Sequence, residues 1–151
     1  MPGVTYSVHP MEEGVSTLVN GLVVNAIDHI PELTWQSSPE EAFRRITWDI
    51  KANERFEILA KSEEGRVVGA VIMTADDDCH VGELITVQWF YVNPDYRGQV
   101  GRKLVRLSRA IAKSTDFRVM AFTHRISEGR YEINYRKLEV SKDGQESSEG
   151  R

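Results

Sequence analysis

Apolar and polar residues alternate at the start of the chain, where Val4, Tyr6 and Val8 interleave with polar partners and predict a short edge-like strand. His9-Pro10 ends it, because proline restricts the residue before it. From residue 11 to about 30 the period lengthens. Val15, Leu18, Leu22 and Ala26 recur at helical spacing and Val19, Val23 and Ile30 widen the stripe, predicting a helix that Pro31 closes, against the cost of Gly14 and Gly21. A second helix is marked by its start: Ser38 as N-cap, Pro39 at the first helical position and Glu41 at capping-box spacing. Phe43, Ile46 and Ile50 form its inward face.

Strand-like runs follow in Phe56-Glu-Ile-Leu-Ala-Lys and Arg66-Val-Val-Gly-Ala-Val-Ile-Met-Thr, joined across Ser62-Glu-Glu-Gly65 as a hairpin. Residues 76–82 read as a loop. Residues 83–92, rich in β-branched and aromatic side chains, predict a central strand. The helix after Gly101 buries Leu104, Leu107 and Ile111, and residues 118–123 return as a strand, so a right-handed crossover and a parallel pair are expected. Near the C-terminus Tyr131, Tyr135 and Leu138 fit a helix, while Tyr131, Ile133 and Tyr135 fit a strand. Both stay open at this point, with a closing strand over about 130–140 preferred. Residues 141–151 are Ser, Glu, Gly and charge, which predicts a disordered tail behind one domain over 1–140.

At 151 residues the chain has room for one domain with a sizeable core. Its formal net charge of −4 gives no global attraction to nucleic acid or to an anionic membrane, so any phosphate recognition must be local. A single cysteine, Cys79, rules out an intramolecular disulfide and leaves zinc without a thiolate cluster. Asp76, Asp77, Asp78, Cys79 and His80 lack the spacing of a calcium loop or a zinc site, so no metal is expected there. No apolar run reaches the ~20 residues of a membrane span, and the N-terminus lacks a signal-peptide core. The expectation is a cytoplasmic protein that binds neither nucleic acid nor membrane.

The chemistry concentrates in Val87-Gln-Trp-Phe-Tyr-Val-Asn-Pro-Asp-Tyr-Arg-Gly-Gln-Val-Gly-Arg-Lys-Leu, a buried strand running into a basic turn that opens a helix. Gly98 and Gly101 allow close backbone approach, and the first amides of a helix are unpaired donors at the positive end of its dipole. A phosphate-bearing ligand fits such a junction. Arg102 and Lys103 lie in the first helical turn, where a bound anion offsets their unfavourable place on the dipole. Arg106, Arg109 and Lys113 read as a solvated face. Trp35, Trp48 and Trp89 suit the core or a pocket wall, with core the default.

The element order and the Arg/Gly turn resemble the GCN5-related N-acetyltransferase (GNAT) family over roughly residues 4–140. The resemblance implies an α/β fold with a mixed central sheet flanked by helices, and acetyl-CoA as co-substrate. A splayed central strand, here Phe90, Tyr91 and Val92, would give main-chain groups to the pantetheine arm. The turn Arg97, Gly98, Gln99, Val100, Gly101, Arg102, with Lys103, would wrap the pyrophosphate. In the family form Gln/Arg-x-x-Gly-x-Gly/Ala the fourth and sixth places are small; here they hold Val100 and Arg102, and Gly101 falls fifth, as if one residue were missing.

The resemblance also implies two catalytic candidates. Glu83, at the start of the long strand, stands where a carboxylate of the family takes a proton from the acceptor ammonium, directly or through water. By strand parity Glu83, Ile85, Val87, Trp89 and Tyr91 share one face, so an inward Glu83 would be partly desolvated; the alternative is a solvent-facing strand end. Asn134-Tyr135-Arg136-Lys137-Leu138 looks like the Tyr-Glu-Lys-Leu-Gly segment whose tyrosine protonates the leaving thiolate, a correspondence that needs this segment not to be a strand. His124 is a further candidate base. The implied reaction is acetyl transfer to a primary amine, on a small molecule or a protein, and a homodimer is a possible assembly. The rival readings are an inactive CoA-binding or structural protein of the same fold, and a module that binds a partner through Trp35 or a helix face.

Overall fold

In the computed structural model, which describes residues 3–139, six strands form one sheet in chain order. These are β1 (Thr5–Met11), β2 (Arg55–Lys61), β3 (Val67–Asp78), β4 (Gly82–Val92), β5 (Val119–Ser127) and β6 (Arg130–Lys137). Neighbours are antiparallel except β4 and β5, a parallel pair joined by the crossover helix α3 (Gln99–Lys113). On one face α3 packs Val100 and Leu104 against Ile58, Val71 and Met73. On the other, α1 (Asn20–His29) and α2 (Pro39–Lys51) pack Leu22, Val23 and Ile50 against Leu59, Ala70 and Ile72. This is the mixed, helix-flanked α/β sheet expected. α3 comes so close that a Cβ on Gly69 would stand 3.0 Å from Leu104 and 3.2 Å from Val100.

Local signals held where they were strongest. Ser38 Oγ accepts from the Glu41 amide at 3.1 Å while the Glu41 carboxylate accepts from the Ser38 amide at 3.0 Å, so the capping box forms and α2 starts at Pro39. Residues 62–66 close the β2–β3 hairpin, with Gly65 at φ 84°.

Several boundaries differ. β1 continues through His9-Pro10 to Met11; as an edge strand it has no further neighbour to need the missing proline donor. The first helix begins at Asn20, because Gly14 takes φ 92° and donates its amide to the Lys51 carbonyl, turning the chain out of helical geometry. Val15 and Leu18, expected on its buried stripe, are exposed. Their loop is anchored by a buried ion pair: Arg55 donates to Glu57 at 2.8 Å and to the Val15 carbonyl at 2.7 Å, and Glu57 accepts from the Leu18 amide at 2.9 Å. Asp76, Asp77 and Asp78 extend β3, leaving a tip of only residues 79–81. α3 begins at Gln99, before Gly101. The C-terminal ambiguity resolves to strand, with β6 paired along β5 from Val119↔Lys137 to Ser127↔Arg130. The expected tail at 141–151 lies outside the described residues.

Candidate active site

The central strand carries an extra residue. Ile72 pairs with Trp89 and Met73 with Val87, so Gln88 has no opposite number and forms a bulge in β4. A bulge increases twist and resets alternation. Val87, Phe90 and Val92 therefore share the α3 side with Ile85, whereas Trp89 and Tyr91 turn to the α1–α2 side, correcting the single face expected for Glu83 through Tyr91.

The bulge also parts β4 from β5. Their pairing consists of Ile85↔Met120 and Thr86↔Ala121, and above that rung residues 87–92 of β4 have no strand partner on this side. The fork holds a cavity of about 130 Å³, walled by Val87 and Phe90 from β4, Val105 and Ser108 from α3, and Phe122 and His124 from β5. It is mostly apolar with unpaired main chain along one edge, which suits a thin chain carrying amide groups. Phe90 is 42% exposed at its mouth. Tyr91 is buried, its hydroxyl donating to Asn25 Oδ1 at 2.8 Å, and burial pushes its phenol pKa up. Arg109, expected on a solvated face, lines this cavity, as does His124. Ser108 is the member that sequence periodicity could have flagged: a polar residue on the inward stripe one turn after Leu104.

At the exit of β4, Pro94–Tyr96 makes one 3-10 turn and Gly98 takes φ 95°, a left-handed conformation that glycine adopts without strain. Gly98 is the N-cap of α3 and supplies no side-chain cap, which leaves the positive end of the helix dipole at this turn; the first helical bond runs from the Arg102 amide to the Gly98 carbonyl. Val100 is buried under the helix. Arg97 is drawn back along the strand, its Nε donating to the Val92 carbonyl at 3.1 Å and its guanidinium lying 5.6 Å from the Tyr91 ring centroid. Gln99, Arg102, Lys103 and Arg106 line a separate groove of about 410 Å³ with Tyr6, whose ring Lys103 covers at 5.7 Å.

The two catalytic candidates are placed differently. Glu83 is exposed, opposite Asp77 near the β3–β4 tip and three residues before the last rung of the fork, so burial does not remove it from water. Tyr135 lies in β6, so its correspondence with the Tyr-Glu-Lys-Leu-Gly segment does not hold. It sits across from Ala121 and its hydroxyl donates to Asp78 Oδ2 at 2.8 Å. That bond to a carboxylate raises its pKa. Asp78 Oδ1 accepts from the His80 amide at 2.7 Å, and this bond with the Tyr135 bond lowers the Asp78 pKa.

A sequence model of the acetyltransferase (GNAT) family matches residues 24–135, from α1 through the fork to β6. The chain belongs to that family. Acetyl-CoA is the family's co-substrate, and the fork and the uncapped α3 start are of a form that can receive it. Among solved structures, this GNAT chain is similar to an acetyltransferase of Streptococcus agalactiae at 18% identity, covering 86% of this chain and 78% of that one with a TM-score of 0.54. A GNAT family acetyltransferase of Staphylococcus aureus aligns at 11% identity over 92% and 98% with a TM-score of 0.56. One from Brucella melitensis, solved in complex with acetyl-CoA, aligns at 11% identity over 90% and 92% with a TM-score of 0.57. At these identities the likeness is one of fold. Among curated proteins no sequence match was found.

Across the fork from α3, the GNAT chain ties its α1–α2 connection to the β5–β6 hairpin. Arg125 donates to Glu32 at 2.7 and 3.0 Å, and Tyr131 donates to the same carboxylate at 2.7 Å. The guanidinium, then the phenol, hold the Glu32 carboxyl well below the usual range. Trp35 is 60% exposed, not core, and donates to Glu128 at 3.2 Å. Trp48 is also exposed, while Trp89 packs partly against the α1–α2 core. No helix among the described residues is long and apolar enough to cross a membrane.

Proposed function

We propose that this chain transfers the acetyl group of acetyl-CoA to a primary amine by direct attack, without a covalent enzyme intermediate. The observation that carries this reading is the parting of β4 and β5 above Thr86. It sets an unpaired strand edge beside an apolar cavity, on the strand that runs on into the start of α3, where Gly98 supplies no side-chain cap. Pantetheine is a thin apolar chain with two amides, and a pyrophosphate wants amide donors at a positive helix end. That acetyl-CoA occupies the Brucella relative supports the same donor here.

In this reading main-chain groups of Phe90, Tyr91 and Val92 hold the pantetheine arm. Gly98, Gln99, Val100 and Gly101 hold the pyrophosphate, with Arg102 and Lys103 adding charge beside it. Arg97 positions the turn through the Val92 carbonyl rather than reaching for phosphate. The amine must arrive neutral, since an ammonium has no lone pair. Its nitrogen bonds to the acetyl carbon as the carbon–sulfur bond breaks; sulfur leaves with the electron pair and takes up a proton, and nitrogen gives one up. Glu83, being exposed, accepts that proton through water. Tyr135 has no part in the scheme, because a hydroxyl donating to a carboxylate is a poorer acid than a free phenol. Most of the rate comes from holding thioester and amine in attack geometry.

A thermal-shift titration with acetyl-CoA and CoA tests this, followed by thiol release with added amines. At 100 times its dissociation constant, acetyl-CoA stabilises by about 2.7 kcal/mol. An unchanged melting temperature at millimolar acetyl-CoA overturns the reading; a shift without thiol release for any amine reduces it to CoA binding.

A further inference from the structure

The bulge residue Gln88 turns its side chain away from the fork and toward α2. Its Nε2 donates to the main-chain oxygen of Asp49 at 3.1 Å and to Asp49 Oδ2 at 2.9 Å. Two acceptors on one nitrogen fix the orientation of the amide, and leave Oε1 as a buried acceptor without a donor. A buried acceptor left without a donor is unfavourable. The Asp49 carboxylate has no cationic partner among the described residues.

Beside this pair runs an open groove of about 690 Å³ lined by Ile46, Trp48, Asp49, Gln88 and Trp89. Trp48 is 72% exposed there, an indole left in water on the rim. Arg45 also borders the groove, but its guanidinium is tied back to the Leu33 carbonyl at 2.9 Å and to Ser37 Oγ at 3.0 Å. On α2 it stands one helical turn from both Glu41 and Asp49, and it forms an ion pair with neither.

A carboxylate without a counter-ion, next to two indoles, is the chemistry that recognises an organic cation. Gln88 follows Thr86, the last rung shared with β5, by two residues. A group held at Asp49 therefore lies on the α1–α2 face of the sheet, beside the stretch of β4 that has parted from β5. We propose that the acceptor is an alkyl diamine, whose distal ammonium is held by Asp49 beside Trp48 and Trp89 while its other nitrogen, unprotonated, receives the acetyl group. This rests on the acetyltransferase reading and names its substrate class. The reacting nitrogen loses one proton and the departing thiolate gains one, while the distal ammonium keeps its charge throughout.

The test uses the full chain, saturating acetyl-CoA and three acceptors that differ at the far end: 1,4-diaminobutane, n-butylamine and 4-aminobutanoate. The diamine is expected to have a kcat/KM about tenfold or more above n-butylamine, with 4-aminobutanoate lowest. Asp49→Asn, which keeps an oxygen for Gln88, should raise the diamine KM about tenfold or more while leaving its kcat, the n-butylamine KM and the acetyl-CoA thermal shift in place. Trp48→Ala, at an exposed site, should raise the diamine KM in the same direction. Equal use of n-butylamine and diamine, or an unchanged diamine KM in Asp49→Asn, overturns the proposal while the acetyl-CoA shift stands. Absence of that shift in the unaltered protein overturns the acetyltransferase reading itself.

Discussion

Arg55 and Glu57 form an ion pair at 2.8 Å with neither side chain exposed to solvent. Two residues apart on β2, they face the same way, and they use their remaining groups to hold the loop between β1 and α1. Arg55 donates to the carbonyls of Glu12, Val15 and Asn53, and Glu57 accepts from the Leu18 amide. Removing one member leaves a buried charge unpaired, so Glu57→Ala or Arg55→Ala should cost about 3–5 kcal/mol in urea denaturation. Replacing an isolated buried pair with apolar residues is often neutral. Here Arg55→Met with Glu57→Leu should instead stay as unstable as either single variant, because the Val15 carbonyl and the Leu18 amide lose their partners. Recovery to wild-type stability in the double variant would show that the loop does not depend on them.

The Glu32–Arg125 pair gives a pH signature. The Glu32 carboxyl titrates below its ordinary range in the folded protein because it accepts from Arg125 and Tyr131. A depressed folded pKa adds stability that is complete above the unfolded value near ~4.3 and is lost as pH falls through the folded one. The melting temperature of Glu32→Gln should therefore lie below wild type at pH 6, and the gap should close as pH drops below ~4. A gap that persists unchanged at acid pH would mean the carboxylate charge contributes nothing.

Filling the fork should block the donor without unfolding the chain. Val105 lines the cavity from α3 and is itself 37% exposed, so a larger side chain can be admitted. Val105→Trp should leave the melting temperature of the free protein within a few degrees and weaken acetyl-CoA about tenfold or more, read by isothermal titration. Wild-type affinity in this variant would move the pantetheine arm elsewhere.

The two catalytic candidates separate by substitution. Glu83→Gln should lower turnover by ~10²-fold near neutral pH while acetyl-CoA binding stays intact, as expected for a lost proton acceptor. Tyr135→Phe should change turnover less than ~3-fold, because its hydroxyl is engaged with Asp78, outside the proposed chemistry. The reverse pattern, measured by thiol release from pH 6 to 9, would return the acid role to Tyr135.

What the sequence by itself determined is what neighbouring residues decide among themselves. The capping box of α2, the Ser62–Gly65 hairpin, the strand-to-helix turn around Gly98 and the parallel crossover all rest on short-range signals, and their order along the chain carried the family resemblance. Tertiary structure decided the rest. Gln88 becomes a bulge only because Ile72 and Met73 on β3 choose Trp89 and Val87 as partners, and that one residue reverses the faces of Trp89 and Tyr91 and opens the fork. Gly14 ends a helical stripe that periodicity favoured because Lys51, distant in sequence, offers it a carbonyl. Tyr135 reads as helix or strand until β5 pairs with it, and its hydroxyl finds Asp78 only when the β3–β4 tip folds alongside. Asp49 and Gln88, 39 positions apart, share no motif. Periodicity reports which side of an element is apolar, but the partner that side meets, and the register of the meeting, are set by pairings between distant segments.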